Sequence, residues 1–380
     1  MVTKIPLCLP DISREEIEVV AEVLRKGELS HGSHVSQFEA NFAALVGVKH
    51  AIAMNSWTSA AFLVFSYLKE KFGSGEVILP SMSFVASANV VLNAGLTPVF
   101  ADVDPRSGNI RVDDIKPLMN KRTVAIMPVH IAGLPSPMED IATLARDFGV
   151  LIVEDSAECL GASINGRLAG SFGIGIFSFY ATKNMTTAEG GMVTTDFDEL
   201  SSWLRMKLGH GIVKNSYTDA EGNTFSWNRN AVVPGHNFRL SNLQAALGVV
   251  QLKRVLEMNK RRQIVASEYA GYLSDIDEIS LPPILDSNRH SYQMFIIRVP
   301  RLIRNRLVLY LNENGIGASV HFDPPIHKQS AYETLKLSLP NTEEFSQRCV
   351  SLPISSVQTS SETEFVARRV KRFFQELNLE

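Results

Sequence analysis

The chain is poor in features that would narrow its role at once. It has only three cysteines in 380 residues, Cys8, Cys159 and Cys349. Their odd number and wide spacing give neither a disulfide framework nor a zinc-type pattern, and a reducing cytoplasm is the simplest expectation. No run of about 18 apolar residues occurs, so no membrane span is expected. The first residues, MVTKIPLCLPDISREE, carry no long apolar stretch and no small-residue cleavage site, so no secretory signal is expected either. Charge of one sign is not in excess. Lys and Arg number 37 against 40 Asp and Glu, a net −3, which argues against nucleic acid or an anionic membrane as the main partner. Internal repeats and low-complexity tracts are missing.

What remains is a globular composition, 45% hydrophobic and 20% charged, long enough for two domains or one large one. Ser13 and Glu16 form a capping-box pair at the head of a helix whose buried face is Ile17, Val20, Ala21 and Leu24. A turn at 29–33 leads to a second helix through Phe38, Phe42 and Leu45. From His50 onward short apolar runs alternate with helical patterns. The runs are 51–54, 77–79, 98–101, 124–129, 151–154, 176–180 and 192–195; helical patterns occupy 59–71, 87–94, 112–119 and 138–148. Near-continuous apolar strands alternating with helices predict an α/β fold, with a mostly parallel seven-stranded sheet covered by helices. The polar stretch 210–234 reads as a surface loop, and 240–272 as a long helix. After 275–288 a smaller C-terminal α+β domain is expected. It has strands at 294–299 and 319–322, a helix at 303–314 and a last helix from Glu362. The domain division is set at 1–255 and 256–380.

Ligands of open α/β sheets gather beyond the carboxyl ends of the strands. Reading off those ends gives Asn55-Ser56-Trp57-Thr58-Ser59, Pro80-Ser81-Met82-Ser83-Phe84, His130, Glu154-Asp155-Ser156-Ala157-Glu158 and Ala181-Thr182-Lys183-Asn184. Thr58 and Ser59 open a helix, where free N–H groups and hydroxyls suit a phosphate, although an ordinary N-cap looks the same. Asp155 ends an apolar strand, and a carboxylate so placed needs a partner such as a protonated pyridine nitrogen or a structural cation. Lys183 follows Phe177-Ser178-Phe179-Tyr180 in an apolar context that favours a neutral, nucleophilic amine, or it is a strand-end lysine reaching water. Phe84 is a ring-sized cover or plain core. Each signal is weak alone; their convergence on one rim suits an anionic ring cofactor held covalently.

These residues resemble the DegT/DnrJ/StrS family of sugar aminotransferases, pyridoxal-phosphate enzymes of the aspartate-aminotransferase fold type. The resemblance covers nearly the whole chain. It runs through Ser30-His31-Gly32, Thr58-Ser59-Ala60, 80–86, Pro128-Val129-His130, 154–158, 177–179 and Thr182-Lys183-Asn184. It continues through Glu189-Gly190-Gly191-Met192, 237–242, 244–248, Val320-His321-Phe322 and Pro325-Ile326-His327. The segment 178–192 is the most specific. The resemblance implies pyridoxal 5′-phosphate (PLP) in Schiff-base linkage to Lys183, with Asp155 on the pyridine nitrogen and Phe84 stacked on the ring. It implies Thr58, Ser59 and Ser178 on the phosphate, and Asn237 reaching the phosphate across a homodimer interface. Glu158 stands where many members carry Gln or His near the ring hydroxyl, a variant common among perosamine-synthase-like members.

His31, His321 and His327 are implied on the substrate side. A metal site for the last two lacks a third ligand nearby. Trp57 replaces the usual small residue before the Thr-Ser pair and is expected to narrow the pocket or stack on substrate. Ile174 replaces a common Asp. A subgroup with His in place of the lysine acts as dehydratases, so Lys183 favours transamination. The implied partners are L-glutamate and a keto sugar, as a nucleotide-linked 4-keto-6-deoxy hexose, with no nucleic acid and no membrane. A keto cyclitol acceptor or a non-catalytic scaffold are the alternatives. A nicotinamide dehydrogenase is disfavoured, because Asn55-Ser56-Trp57-Thr58-Ser59 stands where its Gly-x-Gly-x-x-Gly turn belongs.

Overall fold

The structure is a computed structural model and describes residues 4–214, 217–218, 224–225, 229–284 and 288–377. Helix α1 (Arg14–Lys26) starts as the sequence dictates. Ser13 Oγ accepts from the Glu15 N–H, and the Glu16 carboxylate returns to the Ser13 N–H at 2.8 Å. Gly27, at φ 72°, ends the helix in the left-handed conformation that glycine adopts without strain. Helix α2 (Ser33–Val46) sends Phe38 and Phe42 into the core.

The seven expected strands are present as β1 (His50–Met54), β2 (Glu76–Pro80), β3 (Thr97–Ala101), β4 (Thr123–Ile126), β5 (Leu151–Asp155), β6 (Ile174–Ser178) and β7 (Gly191–Thr195). They form one sheet in the order β1-β7-β6-β5-β4-β2-β3. β7 runs antiparallel to both neighbours, while every other pairing is parallel. The strand expected at 124–129 stops at Ile126. Beyond it the chain bends toward the rim, leaving only a bridge between Val129 and Asp155. Helices α3 (Trp57–Phe72), α4 (Ala86–Asn93), α5 (Met138–Phe148) and α6 (Asp198–Lys207) connect or flank the strands. The helix expected over 112–119 is α-helical only for Val112–Ile115 and tightens to a 3₁₀ turn at Lys116–Leu118, where Pro117 lacks the N–H that continuation needs.

The expected loop at 210–234 carries short ladders in its described parts, Ile212–Lys214 against Arg229–Ala231 and Tyr217–Thr218 against Thr224–Phe225. The remainder of that loop, 215–216, 219–223 and 226–228, lies outside the described residues, as do 285–287 of the stretch read as an interdomain approach.

Helix α7 (Asn242–Leu273) joins two cores. Ala245, Val249, Leu252, Val255 and Met258 pack beneath the sheet with Phe38, Phe42 and Phe177. Val265, Ala266, Tyr269 and Leu273 pack into a separate core with Phe295, Leu307, Val350 and Phe374. That second core is framed by β8 (Phe295–Arg298), α8 (Arg301–Glu313), α9 (Pro340–Arg348), β9 (Cys349–Leu352) and α10 (Ser360–Leu377). The strand expected at 319–322 is not formed. Ser319 makes only a bridge to Ser351, and β8 pairs instead with β9, which the sequence pattern did not reveal. Among the described residues no helix is long and apolar enough to cross a membrane.

Candidate active site

The rim of the sheet and the segments around 293–294 and 321–322 enclose a cavity of about 500 Å³. Thr58, Trp57, Phe84, Asp155, Glu158, Ser178, Lys183 and His321 all line it.

At one end lies the N-terminus of α3. Its cap is Ser56, whose Oγ accepts the Ser59 N–H at 3.0 Å and donates to Ser59 Oγ at 2.9 Å. The cap therefore sits two residues earlier than the Thr-Ser pair. Ser59 belongs to the first helical turn and is not on the cavity wall, whereas Ser56 and Thr58 are. The Ser56-x-x-Ser59 spacing was the signal for this in the sequence. Ser178, at the end of β6, adds a hydroxyl, and its Oγ accepts the Tyr180 N–H at 3.3 Å. Hydroxyls grouped with the free N–H groups of a helix start form an anion site. Trp57 touches the cavity, but most of its ring is committed to the core with Ile52 and Ala61.

Asp155 lies on the cavity floor and is only 5% exposed. Its Oδ2 accepts from the Ser87 hydroxyl at 2.9 Å and its Oδ1 from the Ala157 N–H at 3.2 Å. Burial pushes its carboxyl up to about 6, against the lowering effect of those two donors. Among the described residues no cationic side chain stands within ion-pair distance of it. Lys183, on the loop after β6, is 17% exposed and donates from Nζ to Glu158 Oε1 at 3.3 Å. The other oxygen of Glu158 accepts the Ala132 N–H at 2.8 Å. Phe84 is 63% exposed although it lines the cavity, so its ring is a free face and not core packing.

His321 comes from the irregular segment between α8 and α9. Its Nδ1 meets Ser351 Oγ at 2.8 Å, and burial holds its pKa below the usual value, so the ring is neutral near pH 7. The expectation for His327 is corrected. It is buried away from the cavity, with Nδ1 bound to Ser81 Oγ at 2.7 Å and Nε2 to Glu343 Oε1 at 3.1 Å. Both ring nitrogens are used in joining α9 to the loop after β2, and none is left for a substrate. His31 is exposed on the turn before α2, and Asn237 is exposed beside Asn55, whose Nδ2 reaches its carbonyl at 3.5 Å. Within one chain neither reaches the cavity. Of the other rim residues, His130 and Glu154 are fully buried, pair at 3.3 Å and support the loops behind the cavity.

Sequence reasoning missed Tyr180, Glu189, Gln293, Met294 and Phe322 on the cavity wall. Tyr180 and Glu189 were readable from their closeness to Lys183. Gln293 lies in an irregular segment with no period to betray it, while Met294 and Phe322 fell within expected strands and read there as structural residues.

The chain belongs to the DegT/DnrJ/EryC1/StrS aminotransferase family, whose model matches residues 10–371. It is 38% identical over 380 residues to the spore coat polysaccharide biosynthesis protein SpsC of Bacillus subtilis (strain 168), covering 97% of this chain and 96% of that protein. Among solved structures it is similar to Helicobacter pylori PseC, an aminotransferase involved in the biosynthesis of pseudoaminic acid, at 30% identity and a TM-score of 0.92, covering 98% and 100% of the two chains. It is also similar to Spr1654 of Streptococcus pneumoniae, solved in PLP and PMP (pyridoxamine phosphate) forms; the PMP form matches at 26% identity and a TM-score of 0.90, covering 99% of both chains. The chain is thus a PLP-dependent aminotransferase. The donor set fits that cofactor. A buried carboxylate with no ion-pair partner among the described residues, a helix start rich in hydroxyls, an uncovered aromatic face and a lysine line one cavity.

Proposed function

We propose that the enzyme transfers an amino group from L-glutamate to a keto sugar, a nucleotide-linked 4-keto-6-deoxy hexose, with Lys183 as the residue that carries the cofactor. The observation that carries this reading is the convergence on one cavity of Lys183 and a buried Asp155 that no cation among the described residues pairs with directly. A polysaccharide-biosynthesis relative and a neighbour that acts in making pseudoaminic acid favour a sugar as acceptor.

Bound PLP supplies an electron sink that stabilises negative charge on the amino-bearing carbon of the substrate. Asp155 holds a proton on the pyridine nitrogen, because its buried carboxylate gains a cation there. Ser56, Thr58 and Ser178 hold the phosphate together with the α3 N-terminus, and Ser59 shapes that end through the Ser56 cap. Phe84 covers one ring face. Glu158 holds the lysine amine and would stand near the ring hydroxyl of the bound cofactor. The Lys183 amine would take a proton from, and return one to, the amino-bearing carbon of the substrate. His321, as a neutral imidazole, contacts the acceptor from the opposite wall. Asn237 and His31, exposed and outside their own cavity, fit a homodimer in which a partner brings them to the site. The three free thiols fit a reducing cytoplasm. Residues 1–255 are taken as the PLP-binding domain and 256–380 as the small domain.

The test is an absorbance spectrum of the purified protein with PLP, before and after L-glutamate. A visible band that gives way to the pyridoxamine form supports cofactor and donor together. Its return on addition of a UDP-, dTDP- or GDP-linked 4-keto-6-deoxy hexose identifies the acceptor. No visible band, even with added PLP, would overturn the reading.

A further inference from the structure

The loop that carries Lys183 is held from across the cavity. Gln293 Nε2 donates to the Thr182 carbonyl at 3.1 Å, and Asn184 Nδ2 donates to the Ser291 carbonyl at 2.9 Å. The residues on either side of Lys183 are thus tied to a single short segment, 290–294, which leads into β8. That segment also grips the loops beneath Glu158. The Ser291 N–H donates to the Gly133 carbonyl at 3.0 Å, Ser291 Oγ to the Glu158 carbonyl at 3.1 Å and the Met294 N–H to the Ala132 carbonyl at 3.3 Å. The approach is close: a Cβ on Gly133, which sits at φ 92°, would lie 2.3 Å from Ser291 Oγ.

Within this segment Gln293 is distinctive. It is 5% exposed, it lines the cavity, and its Oε1 is buried without a hydrogen-bond partner. A buried amide left half-satisfied costs about 1–3 kcal/mol relative to a satisfied one, so packing alone would favour an apolar side chain of similar shape. The N–H donated to Thr182 is the interaction that gives the amide a purpose.

We propose that Gln293 is a positioning residue. Through the Thr182 carbonyl its N–H sets the reach of Lys183 Nζ, so the lysine bonds to the cofactor only while segment 290–294 is docked on its loop. This rests on the reading of Lys183 as the cofactor-bearing residue. The step it governs is a condensation. The lysine nitrogen bonds to the aldehyde carbon, C=N replaces C=O, and one water leaves, so an ammonium and an aldehyde give a protonated imine with no further reactant.

Three variants test it. Gln293→Met and Gln293→Glu remove the N–H donor at nearly constant size, and Gln293→His restores a ring N–H at similar reach. Two readouts are taken on cofactor-free protein. One is the rate at which the visible band of lysine-bound cofactor appears after mixing with PLP. The other is the affinity for PMP, which fills the same pocket but has no aldehyde. The Met and Glu variants should form the band about tenfold or more slowly, since a small misplacement of a reacting group costs rate steeply. Their PMP affinity should stay within about twofold of the wild type, which also shows that the pocket is folded, and the His variant should recover most of the rate. Band formation at the wild-type rate in both donor-free variants would overturn the proposal. So would a parallel loss of PMP affinity, which would make Gln293 a general support of the pocket. A wild-type protein that forms no band with PLP points instead to failure of the Lys183 reading.

Discussion

The two walls of the cavity are built by different means. The sheet wall is made of strand ends, and each of its working groups follows an apolar run that fixes its place. Asp155 closes β5, Ser178 closes β6, and Thr58 follows β1 by way of the Ser56 cap. The opposite wall is made of irregular segments around Gln293, Met294, His321 and Phe322, tied through Gln293 to the loop after β6 and through His321 to Ser351 of β9. The first wall is set by the backbone of a buried sheet. The second is set by docking. On the proposed reading the first wall holds the cofactor's ring and phosphate partners, while the second steadies the Lys183 loop and faces the substrate.

The largest effect is expected from a change to the fixed wall. Asp155→Asn should lower turnover by about 10²- to 10³-fold, as loss of a preorganised electrostatic partner does. The same change should stabilise the cofactor-free protein. The folded carboxyl is raised to about 6 from 3.8, so its contribution is full below about pH 3.8 and is lost as pH rises through 6. Removing the charge should therefore add up to roughly 3 kcal/mol of unfolding free energy at pH 7, read by denaturant melts. Lower activity without a gain in apo stability would show that Asp155 has a cationic partner already.

The docked wall gives the next effect. His321→Ala should raise the KM for the keto-sugar acceptor about tenfold and leave the glutamate half-reaction nearly unchanged, the expected loss of one hydrogen bond to a substrate. His327→Ala, by contrast, should cost about 1–3 kcal/mol of stability by unpairing Ser81 and Glu343, with little effect on either half-reaction. A loss of acceptor binding confined to the His327 variant would reverse the two assignments.

Docking should also be sensitive to acid. His290 begins the docking segment, stacks on Tyr292 at 3.8 Å and accepts the Tyr292 N–H at Nδ1. Burial pushes its pKa down to about 3. The stability it contributes is full above its unfolded value of 6.5 and is lost as pH falls toward 3. Going from pH 7 to 5 should cost about 2 kcal/mol from this group, and His290→Phe should flatten that slope. An unchanged slope in the variant would place the acid sensitivity elsewhere. The smallest effect is expected at Phe84. Phe84→Ala should weaken cofactor retention about 3- to 10-fold, the value of one stacked face, measured by PLP dissociation.

The same contrast explains what the sequence disclosed. Parallel strands buried on both faces must be apolar throughout, so β2, β4 and β5 stood out as runs, and the polar residues after them marked the rim. Hence the strand ends pointed to the stretches that hold Phe84, Asp155, Glu158 and Lys183, and all four line the cavity. The docked wall follows no such rule. Ser291 and Gln293 act through their hydrogen bonds to the sheet domain's loops, and no residue pattern announces a partner more than a hundred positions away. β9 was hidden for a related reason, because four residues, Cys-Val-Ser-Leu, are too short to show a period. His327 was misread because its motif neighbour His321 does reach the cavity. Only packing shows that Ser81 and Glu343 occupy both nitrogens of its ring.

That Lys183 bears the cofactor is open to direct chemical proof. Reduction of the PLP-loaded protein with borohydride, followed by peptide mass mapping, tests it most directly. The account predicts a stable phosphopyridoxyl group on Lys183 and its loss in Lys183→Ala. A phosphopyridoxyl group on another lysine, or none on any, would contradict it.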